Sequence, residues 1–306
     1  MKDFDILTAG EINPDLVLTG EVVPAFGQAE QLVDSASLSI GSSSAIFACG
    51  AARLGLRVAL LGLCGEDLFG GYMLEALRAR QVDVSQVIVD PSLATGLSVI
   101  LSTRDDRAIL TYPGGSMDRV RAEQVTDALL RRTRHLHVAS YFLQTALQPG
   151  LPDLFRRAHA QGVTISMDPN WDPSGRWEGF DVLLPLVDVF LPNANEALAL
   201  TGAGTLAAAL ERLTGTCAWV AIKHGPQGAL GAHAGQVQSA PALSVPVVDT
   251  TGAGDSFDGG FLYGFLNGWS LERSLKLGVA CGSLSTRRAG GTTAQAELKE
   301  ALAYVA

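Results

Sequence analysis

The sequence alternates short apolar runs with stretches of helical spacing, and this rhythm constrains the fold more than any other feature. Strands are predicted over residues 4–9, 57–63, 135–139, 163–167, 187–191 and 218–223. Helices are predicted over residues 44–54, 67–80, 151–161, 193–201, 255–266, 271–287 and 295–304. Alternation of this kind is typical of βαβ units around a mainly parallel sheet. We therefore predict an α/β fold with a doubly wound, mainly parallel sheet.

Two segments interrupt the rhythm, residues 13–40 and 95–114, where β-rich patterns replace helical spacing. We expect them to form a small antiparallel sheet inserted into a single domain that spans residues 1–306. Such an appendage can act as a lid over a site. The alternative is a pair of surface hairpins without function. A further strand-like stretch covers residues 243–248.

The net charge of the chain bears on which kinds of molecule it can bind. Lys and Arg number 22 against 31 Asp and Glu, a net charge of −9, which argues against binding to nucleic acid or to anionic lipid. No apolar run approaches the ~18 residues of a membrane span, and the first residues do not resemble a signal peptide. The four cysteines are scattered in apolar surroundings and form no C-x-x-C pair. We expect a cytoplasmic protein.

Several common catalytic motifs are absent from the sequence. No Lys follows a Gly, which excludes a P-loop, no two His stand at i and i+4, and no G-x-S-x-G occurs. One G-x-G-x-x-A match at Gly202, Gly204 and Ala207 lies between two predicted helices. We interpret it as the end of one helix and the start of the next.

The segment from Asp249 to Phe261, DTTGAGDSFDGGF, carries the strongest chemical signal. Its small residues Gly252, Ala253 and Gly254 stand where a predicted helix begins, so unpaired N–H groups and the helix dipole form an anion pocket there. Asp255 at its edge would suit a general base that takes a proton from an attacking hydroxyl. The alternative is that Asp255 only caps the helix and the glycines make a tight turn.

This segment resembles the C-terminal signature of the ribokinase-like (PfkB) carbohydrate kinases. Other parts of the chain resemble family motifs in the same order, so that the resemblance covers essentially the whole chain. They are residues 10–15 (GEINPD), 41–55, 65–70 (GEDLFG), 168–170 (DPN), 192–196 (PNANE) and 223–228 (KHGPQG).

The resemblance implies a role for each matched residue. Asp255 would be the general base, and Gly252, Ala253 and Gly254 the anion hole. Asn13, Asp15, Ser42, Ser43 and Tyr112 would bind the substrate. Asn193, Lys223, Gly225 and Gly228 would bind the nucleotide. Glu196 would hold Mg²⁺ through water, and Asp249 with Thr251 would form a candidate monovalent-cation site.

The sequence departs from the family in its N-terminal signature. A Gly-Gly pair is usual there, with an Asn five residues after the first Gly; here the pair is Gly41-Ser42 and Ile46 takes the Asn position. Because Ile cannot hydrogen-bond a sugar hydroxyl, ribose-like recognition is in doubt. Ser42, Ser43 and Ser44 are candidate replacements. Arg104 and Arg107 lie near the predicted lid, where a phosphorylated sugar would need a cation, but they flank a predicted exposed turn.

The resemblance as a whole implies an ATP-dependent kinase of a sugar or sugar-like alcohol. Its cofactors would be ATP and Mg²⁺, with K⁺ as an open question. Two alternatives remain, a nucleoside kinase of the same fold and a catalytically silent sugar- or nucleotide-binding protein. Pairing of two copies through the lid into a homodimer is a further expectation.

Overall fold

A computed structural model describes residues 2–103 and 106–305. The strands in these residues are β1 (Phe4–Ala9), β2 (Pro14–Thr19), β3 (Ser35–Ile40), β4 (Val58–Leu61), β5 (Leu63–Cys64), β6 (Ile88–Val89), β7 (Leu97–Ser102), β8 (Arg107–Tyr112), β9 (Thr133–Val138), β10 (Thr164–Met167), β11 (Val189–Phe190), β12 (Trp219–Lys223), β13 (Ala229–His233) and β14 (Gln236–Ala240). The large sheet has eight strands in the order β14-β13-β12-β11-β10-β9-β1-β4.

Helices cover both faces of this sheet. They are α1 (Ser43–Arg53), α2 (Leu68–Ala79), α3 (Asp127–Arg131), α4 (Leu151–Ala160), α5 (Phe180–Leu183), α6 (Ala194–Thr201), α7 (Leu206–Thr214), α8 (Ala253–Leu266), α9 (Leu271–Ser285) and α10 (Leu298–Leu302). None of the helices in the described residues is long and apolar enough to cross a bilayer.

The sheet is parallel from β4 to β12, and only β13 and β14 are antiparallel. Neighbouring residues of β1 point into two different cores, as expected of a strand buried on both faces. Leu7 packs with residues of α4 and α7, whereas Ile6 packs with residues of α1 and α8. The prediction of an α/β fold with a doubly wound, mainly parallel sheet is confirmed.

A second sheet of four strands, in the order β3-β2-β7-β8, is formed by the two segments that interrupt the βα rhythm. The predicted antiparallel arrangement needs correction, because the two hairpins are antiparallel but β2 and β7 pair in parallel where the hairpins meet. Its register places Ser39, Asp15, Ser98 and Thr111 side by side in one row. We call this sheet the lid and these four residues the hydroxyl row. Because paired residues share a face and successive residues alternate, Leu16, Leu38, Val99 and Leu110 form a row on the opposite face.

Local caps agree with the sequence. Asp67 caps α2 by accepting a hydrogen bond from the Gly70 N–H, and Gly202 ends α6 with a left-handed backbone at φ 63°. Thr205 then caps α7. This confirms that the G-x-G-x-x-A match marks the end of one helix and the start of the next.

Two predicted elements need correction. Residues 243–248 are not a strand; Pro246 supplies no N–H, and Val247 and Val248 are exposed at 64% and 63%. The C-terminal helix covers only Leu298–Leu302 rather than residues 295–304. Gln295 instead donates from its amide to the Ile46 carbonyl at 2.9 Å. Arg104, which the sequence analysis noted near the lid, lies outside the described residues.

Candidate active site

The polar residues of the site follow the strands of the large sheet at one edge. Glu11 follows β1, Ser140 follows β9, Asp168 follows β10 and Asn193 follows β11, while Lys223 ends β12. These strands are parallel, so their carboxyl ends meet at the same edge, where open α/β sheets bind ligands. Residues distant in sequence are thereby brought into one cleft.

The loop from Asp249 to Gly252 leads directly into α8. Gly252 precedes the helix with a left-handed backbone at φ 71°, and α8 begins at Ala253. The N–H groups of the first turn have no partner further back in the helix, which makes this end attractive to anions. The Ala253 N–H donates to the Thr250 carbonyl at 3.2 Å, so the expectation of unpaired N–H groups does not hold for this residue. We call residues 252–254 the anion-hole loop.

Asp255 lies in this first turn and is only 8% exposed. Its burial and the nearby charges of Asp168 and Glu11 raise the pKa of its carboxyl well above the ordinary value. Lys223 and a hydrogen bond from the Ser43 side chain act in the opposite direction. A carboxylate with a raised pKa is a stronger proton acceptor than an ordinary Asp.

A buried ion cluster lies directly beside Asp255. Lys223 Nζ is 2.6 Å from Oδ2 of Asp168 and 3.2 Å from both oxygens of Asp258. Burial alone would lower the pKa of Lys223, but the attraction of these carboxylates raises it above its ordinary value, so the ammonium stays charged. A β-carbon placed on Gly254 would be 3.5 Å from Nζ, which puts the ammonium against the anion-hole loop.

Asn193 and Glu196 form a capping box at the start of α6. The Asn193 N–H donates to Glu196 Oε2 at 2.7 Å, and the Glu196 N–H donates to Asn193 Oδ1 at 3.0 Å. Burial, followed by repulsion from Asp168, raises the pKa of Glu196 to about 7. The capping role is present, and the roles in binding nucleotide and Mg²⁺ remain predictions.

The inner face of the lid supplies a second group of polar atoms. Asp15 is buried, and burial raises the pKa of its carboxyl to about 7. A side chain on Gly41 would overlap the Asp15 carboxylate, so the first glycine of the N-terminal signature makes room for it. Asn13 Oδ1 and Ser39 Oγ are buried without a hydrogen-bond partner in the described part of the chain. Buried polar atoms of this kind are expected to have a partner, which a ligand can supply.

Two serines of the N-terminal signature are engaged by the protein itself. Ser42 caps α1, accepting from the Ala45 N–H at 3.1 Å and donating to the Glu11 carbonyl at 2.6 Å. Ser43 accepts from the Asn170 amide at 3.1 Å and contacts Asp255. Ser43 thus lies beside Asp255, whereas the hydroxyl of Ser42 caps the start of α1.

Tyr112 lies on the outer face of the lid, so its predicted role in substrate binding has no support from its position. It pairs with Leu97 on the outer face of the lid and is 60% exposed. The strand alternation gives the inward position to Thr111 instead, whose Oγ1 is 3.1 Å from Ser98 Oγ.

Asp249 and Thr251 are held together beside the anion-hole loop. Asp249 Oδ1 accepts from the Thr251 N–H at 2.9 Å and from its hydroxyl at 2.7 Å, and Oδ2 accepts from the Gly290 N–H at 2.8 Å. These donors, led by the Gly290 N–H, lower the pKa of Asp249 although burial alone would raise it. The residues that the sequence assigned to a monovalent cation are therefore already partnered.

Gly225 and Gly228 lie in the turn that joins β12 to β13. Both have positive φ, 52° and 92°, and a side chain on Gly228 would overlap the Ala240 carbonyl. The two glycines thus make a tight turn, and their contact with a nucleotide remains a prediction.

Comparison with known proteins decides the family. Residues 4–298 match the model of the pfkB family carbohydrate kinases. The chain belongs to this family. The predictions of family membership and of an ATP-dependent carbohydrate kinase are thus confirmed.

Relatives of this pfkB kinase share about a quarter to a third of its residues. The ATP-dependent ribose-1-phosphate kinase of Halopiger xanaduensis is 29% identical, with 94% of each chain covered. The fructokinase of Klebsiella pneumoniae is 30% identical over 83% of this chain and 88% of its own.

Solved structures agree on the fold. The adenosine kinase of Sinorhizobium meliloti is 26% identical with a TM-score of 0.86, and 99% of each chain is covered. A candidate ribokinase II of E. coli in complex with ATP and Mg²⁺ is 25% identical with a TM-score of 0.88 and the same coverage.

Asp258, Glu11 and Asn170 also lie in the site, although the sequence motifs assigned them no role. Asp258 had a readable signal, since it is three residues after Asp255 and so lies on the same side of α8. Glu11 and Asn170 follow strands β1 and β10, the edge at which ligands bind. Their contacts with Ser140, at 2.9 and 2.7 Å, depend on folding and had no local signal.

Proposed function

We propose that this pfkB kinase transfers the terminal phosphoryl group of ATP to a hydroxyl of a sugar or sugar-like molecule, with Asp255 as general base. The observation that carries the proposal is the position of the Asp255 carboxyl in the first turn of α8, directly after the anion-hole loop and at the positive end of the helix dipole. The hydroxyl row of the lid provides the opposite wall.

The reaction follows from this arrangement. Asp15 and Asn13 hold hydroxyls of the acceptor, and Asp255 takes the proton from the hydroxyl that attacks. The N–H groups of the anion-hole loop stabilise the charge on the transferred phosphoryl group. Closure of the lid excludes water, which would otherwise compete as the acceptor.

We propose that Mg²⁺ is held mainly by the phosphates of ATP and by water, with Glu196 in its water shell. The carboxylates that the structure describes do not converge into a direct metal site, because no group of three or more His, Cys, Asp or Glu is placed to hold an ion. When bound, Mg²⁺ offsets negative charge on the phosphates. Turnover should therefore require Mg²⁺, while the folded protein should not lose stability in EDTA.

The structure gives less support to a K⁺ site at Asp249 and Thr251. The Arg107 guanidinium already stands against Asp249 and Thr251, with Nη1 3.6 Å from Asp249 Oδ1 and 2.5 Å from Thr251 Oγ1. We therefore expect turnover to persist when tetramethylammonium replaces K⁺. A strict requirement for K⁺ would contradict this expectation and support the monovalent-cation site at Asp249 and Thr251.

The nucleoside alternative depends on an aromatic side chain that stacks on a base. The inward-facing residues of the described lid strands are polar or aliphatic, including Val17, Ile100 and Ile109, and Tyr112 faces outward. This favours a sugar over a nucleoside. The silent-protein alternative predicts no ATP consumption with any acceptor, and the intact anion-hole loop argues against it.

We propose that two copies pair through the outer face of the lid. That face carries Leu16, Leu38, Val99 and Leu110, and Leu110 is 61% exposed. An apolar sheet face of this kind is unusual on a monomer. Light scattering should give a dimer mass, and Leu110→Glu should give a monomer; a monomeric wild type would contradict the proposal.

The four cysteines are free and buried. This fits a reducing compartment, and we propose the cytoplasm as the location. The kinase proposal itself is tested by ATP consumption across a panel of sugars, sugar phosphates, sugar acids and nucleosides. Consumption that depends on a sugar-like acceptor supports it, and no consumption with any of them contradicts it.

A further inference from the structure

Arg107 reaches from the lid across the cleft to the anion-hole side. It begins β8 and pairs with Ser102, which pairs with Thr19 in β2. Asp15 lies four residues before Thr19 in β2, and side chains an even number of residues apart in a strand share a face. The side chain of Arg107 is therefore on the same inward face of the lid as that of Asp15. Its Nη1 donates to Thr251 Oγ1, two residues after Asp249. The guanidinium therefore lies over the acceptor side of the cleft.

The described residues leave most of the hydrogen-bonding capacity of this guanidinium unused. A guanidinium has five N–H donors, and Thr251 Oγ1 is the hydrogen-bond partner that residues 2–103 and 106–305 provide for it. Asp249 is a distant partner at 3.6 Å, and its oxygens already accept closer N–H and O–H donors. The side chain of Arg107 is 39% exposed, so its remaining donors are open to a ligand.

The charge of Arg107 is felt in the acceptor site. It lowers the pKa of Asp15 and of Asp249, so its positive field covers both carboxyls. The acceptor side of the cleft otherwise carries the acidic groups Asp15, Asp249 and Asp255, which would repel an anion. The Arg107 guanidinium lies among these acidic groups and can attract an anionic group of the acceptor.

We propose that the acceptor is a sugar that already carries an anionic group, a phosphate ester or a carboxylate, and that Arg107 binds this group. The inference rests on the kinase function proposed above and specifies its substrate class. The planar fork of a guanidinium binds both kinds of anion through paired, charge-assisted hydrogen bonds. A neutral sugar has no group that requires it.

The alternative role for Arg107 is a latch that only holds the lid closed on Thr251. A latch would affect every acceptor equally, because lid closure precedes transfer to any of them. An anion-binding residue affects only acceptors that carry the anion. This difference separates the two roles.

The test compares matched neutral and anionic acceptors. The pairs are fructose with fructose 6-phosphate, ribose with ribose 1-phosphate, and 3-deoxyglucosone with 2-keto-3-deoxygluconate. The proteins are wild type, Arg107→Ala, Arg107→Lys, and Arg131→Ala as a control that removes a charge from exposed α3. The phosphate and carboxylate pairs identify which anion is used.

We expect wild type to prefer the anionic member of at least one pair. Arg107→Ala should lower kcat/KM for that member about 10- to 100-fold, mainly through KM, as expected for a lost charged hydrogen bond. The neutral member should change less than about threefold, and Arg107→Lys should recover part of the loss. Arg131→Ala should match wild type. Preference for neutral sugars, or an equal loss on both members, would overturn the proposal.

Calorimetry of the same sugar phosphates and of 2-keto-3-deoxygluconate, with an ATP analogue present, separates this inference from the kinase function. Binding that is lost in Arg107→Ala without any turnover would support the anion site and contradict the kinase function. Turnover of neutral sugars alone would support the kinase function and contradict the anion site. Absence of binding by all these anionic sugars would contradict the anion site.

Discussion

Ile46 packs directly beneath Gly252. A β-carbon on Gly252 would lie 2.7 Å from Ile46 Cγ2, and Ile46 is 3% exposed. The same side chain also fills the space beside Gly291, where a β-carbon would be 2.5 Å from Cδ1. The residue that replaces the family's usual Asn thus supports the anion-hole loop by packing rather than by binding a hydroxyl.

Shortening this side chain should weaken both the fold and catalysis. Ile46→Ala should lower the free energy of unfolding by about 2–5 kcal/mol, and Ile46→Val by about 1 kcal/mol, because each leaves a cavity of different size. Urea denaturation measures both. We expect kcat to fall in the same order, and an Ile46→Ala enzyme with wild-type kcat would contradict a supporting role.

A glycine of the anion-hole loop should be more sensitive to substitution than a glycine elsewhere on the surface. Gly254→Ala places a β-carbon at an ordinary 3.5 Å from Lys223, so the fold should keep its stability. The added methyl would lie between the anion-hole loop and the Lys223 ammonium, and if the phosphate binds at this loop it should lower kcat at least about tenfold. Gly204→Ala is the matched control, since a β-carbon there meets no atom within 4 Å. Equal activity of the two variants would place the phosphate elsewhere.

Removal of the buried Lys223 ammonium should destabilise the protein, because the carboxylates that it neutralises remain buried. Lys223→Met leaves Asp168 and Asp258 without their cation and should lower the free energy of unfolding by about 3–5 kcal/mol. Lys223→Met combined with Asp258→Asn should recover much of that loss in urea denaturation. A double variant no more stable than Lys223→Met would show that Asp258 does not carry the penalty.

Asp15 makes stability depend on pH in a defined direction. Burial raises the pKa of its carboxyl from 3.8 to about 7, so between these values the folded state holds a proton that the unfolded state has lost. The contribution of Asp15 therefore becomes less favourable as pH rises through this window, by on the order of 4 kcal/mol. Asp15→Asn should exceed wild type in melting temperature at pH 8.5 and match it near pH 4. Glu75→Gln on the exposed side of α2 is the control, and an Asp15→Asn difference that is constant with pH would contradict the assignment.

The sequence predicts the fold well where a local signal exists. The apolar runs identify the parallel strands because a strand buried on both faces, such as β1, must be apolar throughout. The segment 243–248 misleads because its valines suggest a strand, while Pro246 and exposure of the chain favour an extended connection. Composition alone cannot show whether an extended run has a neighbour to pair with.

The site is predictable only in part for a related reason. The anion-hole loop is contiguous in sequence and has a local signature, so Gly252 and Asp255 are found together. The face of the lid on which Tyr112 lies depends on the strand register, and a shift of one residue in the register would move Tyr112 to the opposite face. Contacts such as Arg107 with Thr251 join residues 144 positions apart and become visible only after folding.

The most direct test of the account is the turnover of Asp255→Asn on an acceptor identified by the panel. The variant should melt no lower than wild type, because Asn has the size of Asp and carries no charge for burial to disfavour. It should keep the affinity for an ATP analogue, because the N–H groups of the loop remain. Its kcat should fall by about 10²–10⁴-fold, the range expected for loss of a general base. An Asp255→Asn enzyme that folds, binds the analogue and turns over at the wild-type rate would contradict the central claim.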